Sequence, residues 1–146
     1  MSKTNTHENE LLLLEFNNTD AAGLGDAGGL RGSVVAGSYY VSLYTADPGE
    51  AGNQATNETA YTGYARIAVA RTSSGWTVTA NSVSPAANID FGKCTASPGT
   101  ALTHFGVGDA ASGTGKLRRY GTLTPNITMA VNVIPRVETG STLTED

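Results

Sequence analysis

Eight short stretches of this chain carry a β pattern, and their spacing dictates what the body can be. They are YYVSLYT (39–45), YARIAVART (64–72), GWTVTA (75–80), NIDFGKC (88–94), ALTHFGVG (101–108), KLRRYGTLT (116–124), ITMAVNVIP (127–135) and VETGSTLTE (137–145). In each, apolar residues alternate or run on continuously, as pleated strands with a buried face require. The joints include SSG, SPG, ASGTG and LTPN, whose Gly, Pro and Ser supply turn conformations. About eight strands at near-regular spacing predict an all-β fold, a jelly-roll-like β-sandwich. Its expected core runs from Tyr40 and Leu43 through Trp76, Phe91, Phe105 and Val107 to Val131 and Val133.

Composition agrees with that pattern. Glycine numbers 18 and charged residues make up only 15% of the 146 residues, which favours strands and turns over helices. A chain of this length buries enough surface for one core without staples. One helix is expected at residues 7–17, HENELLLLEFN, where acidic residues precede good helix formers. Its four consecutive leucines leave no polar face, so it must bury nearly all round, on its own domain or on another subunit. The expected organisation is an arm or helix over 1–20, a glycine-rich linker over 21–37 and a β-sandwich over 38–146.

Charge and cysteine content narrow the function classes. A net charge of -4 offers no general attraction to phosphate backbones, so nucleic acid is not an expected partner. The cluster Lys116, Arg118 and Arg119 reads as the guard of a strand edge. Cys94 is the single cysteine and is expected buried, without a disulfide or metal role. LLLL is too short for a membrane span, and the first ten residues lack a signal core, so the chain is expected to be cytosolic when made. The sequons at Asn17, Asn57 and Asn126 carry little weight in that setting.

Several motifs fall short of chemistry. Asp47 to Glu58 has the length, first Asp, sixth Gly and last Glu of a calcium loop, but Gly49 and Ala51 stand where oxygen donors belong. Gly23, Gly25 and Gly28 spell G-x-G-x-x-G with no strand before them, and Gly115-Lys116 lacks the rest of a phosphate loop. His104, inside a strand pattern, has no nucleophile elbow or paired acid signature and is expected to be structural. No catalytic, metal or cofactor-binding residues are expected, and the chain is not expected to be an enzyme.

The strings LYTADPGE, TGYARIAVARTSSGWTV, THFGVG, SGTGKL and GTLTPNI occur in this order. Over about residues 8–146 they resemble a family of small proteins of tailed bacteriophages, often labelled tail-fibre-like, which includes capsid cement (decoration) proteins. The resemblance implies a cofactor-free virion protein on the capsid exterior, binding across neighbouring major capsid protein subunits and favouring the mature shell. Self-association as a homodimer or trimer is implied as well. On that view the partner contacts are Leu11, Leu12, Leu14 and Phe16 in the arm, the 47–58 loop with Asp47 and Glu50, and the C-terminal run from Arg136. Against this stands the alternative that the leucines close the chain's own fold. The competing function is a tail-associated, host-recognition module that binds a surface glycan through loop tips 46–62 and 112–116, with Tyr61 and Tyr64 able to stack on sugar or to pack a strand edge.

Overall fold

The structure, a computed structural model, describes residues 2–25, 32 and 34–145. The glycine-rich stretch expected over 21–37, and Gly28 of the G-x-G-x-x-G string, therefore fall partly outside the described residues. Among the described residues one helix, α1 (Asn5–Asn17), precedes nine strands: β1 (Ser38–Tyr44), β2 (Ile67–Ala70), β3 (Trp76–Thr79), β4 (Ser82–Pro85), β5 (Ile89–Asp90), β6 (Leu102–Gly108), β7 (Leu117–Ile127), β8 (Arg136–Val137) and β9 (Leu143–Thr144). They form sheets in the orders β2-β1-β6-β7, β3-β4-β9 and β5-β8. The class is the one expected, mostly β in antiparallel sheets with a short N-terminal helix.

Two compact units divide the chain. One comprises Met1–Ser38, Val69–Asn88 and Glu138–Asp146, the other Tyr39–Ala68 and Ile89–Val137. In the first, α1 lies against β3 and β4. Glu8 in its first turn suits the positive helix end, and Asn18 closes it in the left-handed conformation, φ 55°, with a backbone N–H returned to Leu13. Its buried face carries Leu12 and Phe16, both 0% exposed. The Phe16 ring meets the buried Trp76 indole edge to face at 4.9 Å. Arg71 reaches the last turn of the helix, donating from Nη2 to the Leu14 carbonyl at 2.9 Å and from Nε to that of Glu15 at 2.6 Å.

In the second unit β1 pairs with β6 from Tyr40↔Gly108 to Tyr44↔His104, and β6 pairs with β7. Val41, Leu43, Phe105 and Val107 are buried there. Along β7, Thr122 opposes His104 and Ile127 opposes Leu102, so the Leu-Thr-Pro-Asn stretch 123–126 bulges out of the ladder. β7 ends the sheet order, and with Arg118 exposed and Pro125 in the bulge it has the features that guard an edge against further pairing. Cys94 is buried, as expected.

Two readings of the sequence need correction. The alternating run 128–135 is no strand: Asn132 adopts φ 76°, and Cys94 exchanges backbone hydrogen bonds of 2.8 Å with Val133 and Asn132. Val131, assigned to the core by its alternation, is 52% exposed. β4 was not foreseen. Its hairpin turns through Ala80 and Asn81, with Ala80 at φ 52°, and it ends in Pro85, so neither turn nor strand has its usual residues.

The packing of α1 yields a contrast between neighbours. Phe16→Ala should lower unfolding stability by about 3 kcal/mol, as an aromatic deletion in a closed core does. Leu11→Ala, at a half-buried position, should cost less than about 1 kcal/mol. Equal effects in denaturant titrations of the two variants would contradict this packing.

Candidate functional site

The polar run after β1 is tied together from its first residue. The Asp47 carboxylate accepts the Gly49 N–H at 2.7 Å, closing an Asx turn over Pro48, with Gly49 at φ 71° where a side chain would be strained. The Asn57 amide donates to the Asp47 carbonyl at 2.8 Å, and the Asn57 carbonyl accepts the Thr45 N–H at 3.0 Å. Thr59 N–H then donates to Leu43 O at 3.0 Å, so the run comes back antiparallel to the end of β1, with Tyr44 opposite Glu58.

Gln54, at the middle of the run, is 0% exposed. Its N–H donates to the Gly115 carbonyl, and its Oε1 accepts the Ala110 N–H, both at 2.9 Å. A Cβ at Gly108 would collide with the Gln54 side chain, and one at Gly115 with Gln54 Oε1 and the Ala110 methyl. Those two glycines are therefore required by close approach, and they let the amide lie between the 47–58 run and the β6–β7 connection.

A second tie is ionic. Arg66 grips Glu58 through both arms of its fork, Nε to Oε1 and Nη2 to Oε2, each at 2.7 Å. The same guanidinium donates to the Ala110 carbonyl at 2.9 Å and the Gly113 carbonyl at 2.7 Å. The Arg66 side chain is 2% exposed and that of Glu58 15%. Tyr64 adds its hydroxyl, donating to Glu58 Oε1 at 2.7 Å and accepting the Leu43 N–H at 3.1 Å. Beneath it, Tyr44 OH and Ser42 Oγ share a hydrogen bond of 2.7 Å. The hydrogen bond to Glu58 raises the Arg66 pKa further above its ordinary value. Burial pushes the Tyr64 phenol far above 10 and that of Tyr61 up to about 12.

Through these ties the stretches 46–62 and 109–116 become one platform. Its solvent side carries Asp47, Glu50, Asn57, Ser112, Thr114 and Lys116, all exposed. The two loop tips considered for host recognition thus stand together. Tyr61 and Tyr64 do not serve as sugar-stacking surfaces: Tyr61 is 3% exposed, and Tyr64 lies between it and Phe91 at 5.4 and 6.0 Å. His104 is half-buried, its Nδ1 2.8 Å from Thr103 Oγ1.

The other residues considered for partner contact lie elsewhere. Leu12 and Phe16 are wholly enclosed by the chain's own fold and offer no surface, while Leu11 and Leu14 are half-buried. Arg136 is exposed on β8 and paired in bidentate fashion with Asp90 of β5. Gln54, Glu58 and Arg66 were not singled out in the sequence as a cluster. The one local signal was Gly108 and Gly115 flanking an otherwise plain loop.

A family model described as podophage GP4 fiber I protein gp80 matches residues 29–144. The chain belongs to this family. Both stretches of the platform fall within the matched residues, whereas α1 lies outside them. A phage structural family is what the resemblance implied; the family is described by a fibre and not by a capsid. Among curated proteins nothing matches the chain.

Arg66→Ala would strand the Glu58 carboxylate under partial burial and release two carbonyls of the 109–115 turn. A loss of about 3 kcal/mol is expected, with Arg66→Lys restoring only part because a single ammonium lacks the fork. Limited proteolysis should then cut the variant within 109–115, and an uncut variant of unchanged stability would contradict the clasp. Alkaline pH supplies a second check. Unfolded tyrosine ionises near 10, whereas folded Tyr61 and Tyr64 keep their protons to higher pH. Their contribution is complete below about pH 10 and is lost as pH climbs toward the folded values. The unfolding midpoint should therefore fall between about pH 10 and 12, less steeply in Tyr64→Phe; a flat profile would count against these burials.

Proposed function

We propose that this chain is a fibre subunit of a tailed-phage virion, and that its composite platform contacts a glycan on the host surface. The family match carries the fibre part of this reading. The platform supports the recognition part, because recognition loops work best when a rigid scaffold fixes them. Here Gln54 and Arg66 hold two loops in one geometry, and the groups turned outward are carboxylates, amides and hydroxyls suited to sugar hydroxyls. Subunits of such a fibre associate with one another, as a dimer or trimer. The cement role across major capsid protein subunits is the competing account, and no feature of the platform favours it.

Purified protein, added in excess to host cells, should reduce phage adsorption in a dose-dependent way. A variant with Glu50→Ala, Ser112→Ala and Thr114→Ala should remain folded, since these side chains are exposed and tie no part of the platform together, and should lose at least tenfold in competing potency. Undiminished adsorption, together with binding of the purified protein to isolated phage heads, would overturn the proposal in favour of cementing.

A further inference from the structure

α1 lies outside the residues shared with the fibre family, yet it covers a residue that lies inside them, Trp76 of β3. Without the helix, the Trp76 indole would stand open on the β3–β4 face. The groove is shaped for this helix. Leu12 and Phe16, one turn apart, are the apolar anchors, and Asn9 on the same face donates to the Ala80 carbonyl at 2.9 Å. Arg71 binds both sides of the connection, holding the carbonyls of Leu14 and Glu15 at the helix end and of Ala36 at 3.1 Å before β1.

That connection, residues 18–37, is twenty residues long and six are glycine. Two of its described residues meet, Gly32 N–H donating to Asp20 Oδ1 at 2.8 Å. Extended, a connection of this length spans about 60 Å. It is thus long enough to deliver α1 to the groove of an adjacent copy with every contact at the groove kept.

We propose that α1 exchanges between copies, the helix of one subunit filling the Trp76 groove of the next. The helix–strand contacts are the same in the two arrangements, and the exposed Gly32–Asp20 hydrogen bond of the connection is given up on extension, so relative concentration decides between them. A tether of this kind holds the helix at an effective concentration of about millimolar near its own groove. Dilute chains keep their own helix, and subunits crowded side by side in a fibre trade theirs. A chain of exchanged helices would then link neighbours without any new surface. This inference rests on the chain acting as a repeated fibre subunit.

Two chains with different affinity tags test it, one carrying Asn9→Cys and the other Ala80→Cys, with the fully buried Cys94 left in place. Mixed and treated with a short bismaleimide, they should give a covalent heterodimer whose yield rises at least tenfold from micromolar to near-millimolar protein. Phe16→Ala in the helix donor should abolish it. Absence of heterodimer at every concentration, while one chain carrying both cysteines cross-links internally, would overturn the exchange. Because no host cell is involved, failure here is distinguishable from failure of the recognition reading.

Discussion

The Arg66 guanidinium is the interaction on which the platform depends. One planar fork serves Glu58 in bidentate fashion and two carbonyls of the facing turn, and all four partners lie within 2.9 Å. An arginine withdrawn from water to this degree needs its donors satisfied, and that requirement fixes where the two loops stand. Lysine, with a single charged tip, has no equivalent set of directions. The Gln54 amide repeats the principle without charge, and the absence of side chains at Gly108 and Gly115 gives it room.

This arrangement explains how a chain poor in charge presents an ordered polar surface. Loops rich in Ala, Asn, Thr and Gly bury too little apolar area to hold one shape. Here the order comes from polar groups turned inward, with Tyr64 and Tyr44 packed beneath, and the exposed groups are left for contact. In the other unit apolar contact dominates, through Phe16 on Trp76, with Arg71 capping the helix that carries Phe16.

The strands were legible where local pattern and tertiary role coincide. β1, β6 and β7 alternate or run apolar as their neighbours require, and each was anticipated to within a few residues. The same logic misread 128–135, where alternation was present but a left-handed Asn132 turned the chain, and overlooked β4, whose turn and terminal Pro85 hide it. The outward position of Asp47 and Glu50 was legible from the Asp-Pro-Gly turn. The clasp was not, because Arg66 meets residues 44 and 47 positions away, and such pairings follow from topology rather than from spacing. The leucines of α1 illustrate the same limit: composition required burial, and only packing distinguishes the enclosed Leu12 from the half-buried Leu11.

Membership of a fibre family and a braced polar platform are the two supports of the proposal that the chain is part of a virion appendage that meets the host. The count of this protein per virion, measured by quantitative mass spectrometry against the major capsid protein, tests that claim most directly. A fibre subunit should be scarce, a small fraction of the capsid protein, and should stay with the tail when heads and tails are separated. Abundance approaching that of the capsid protein, and recovery with emptied heads, would contradict it.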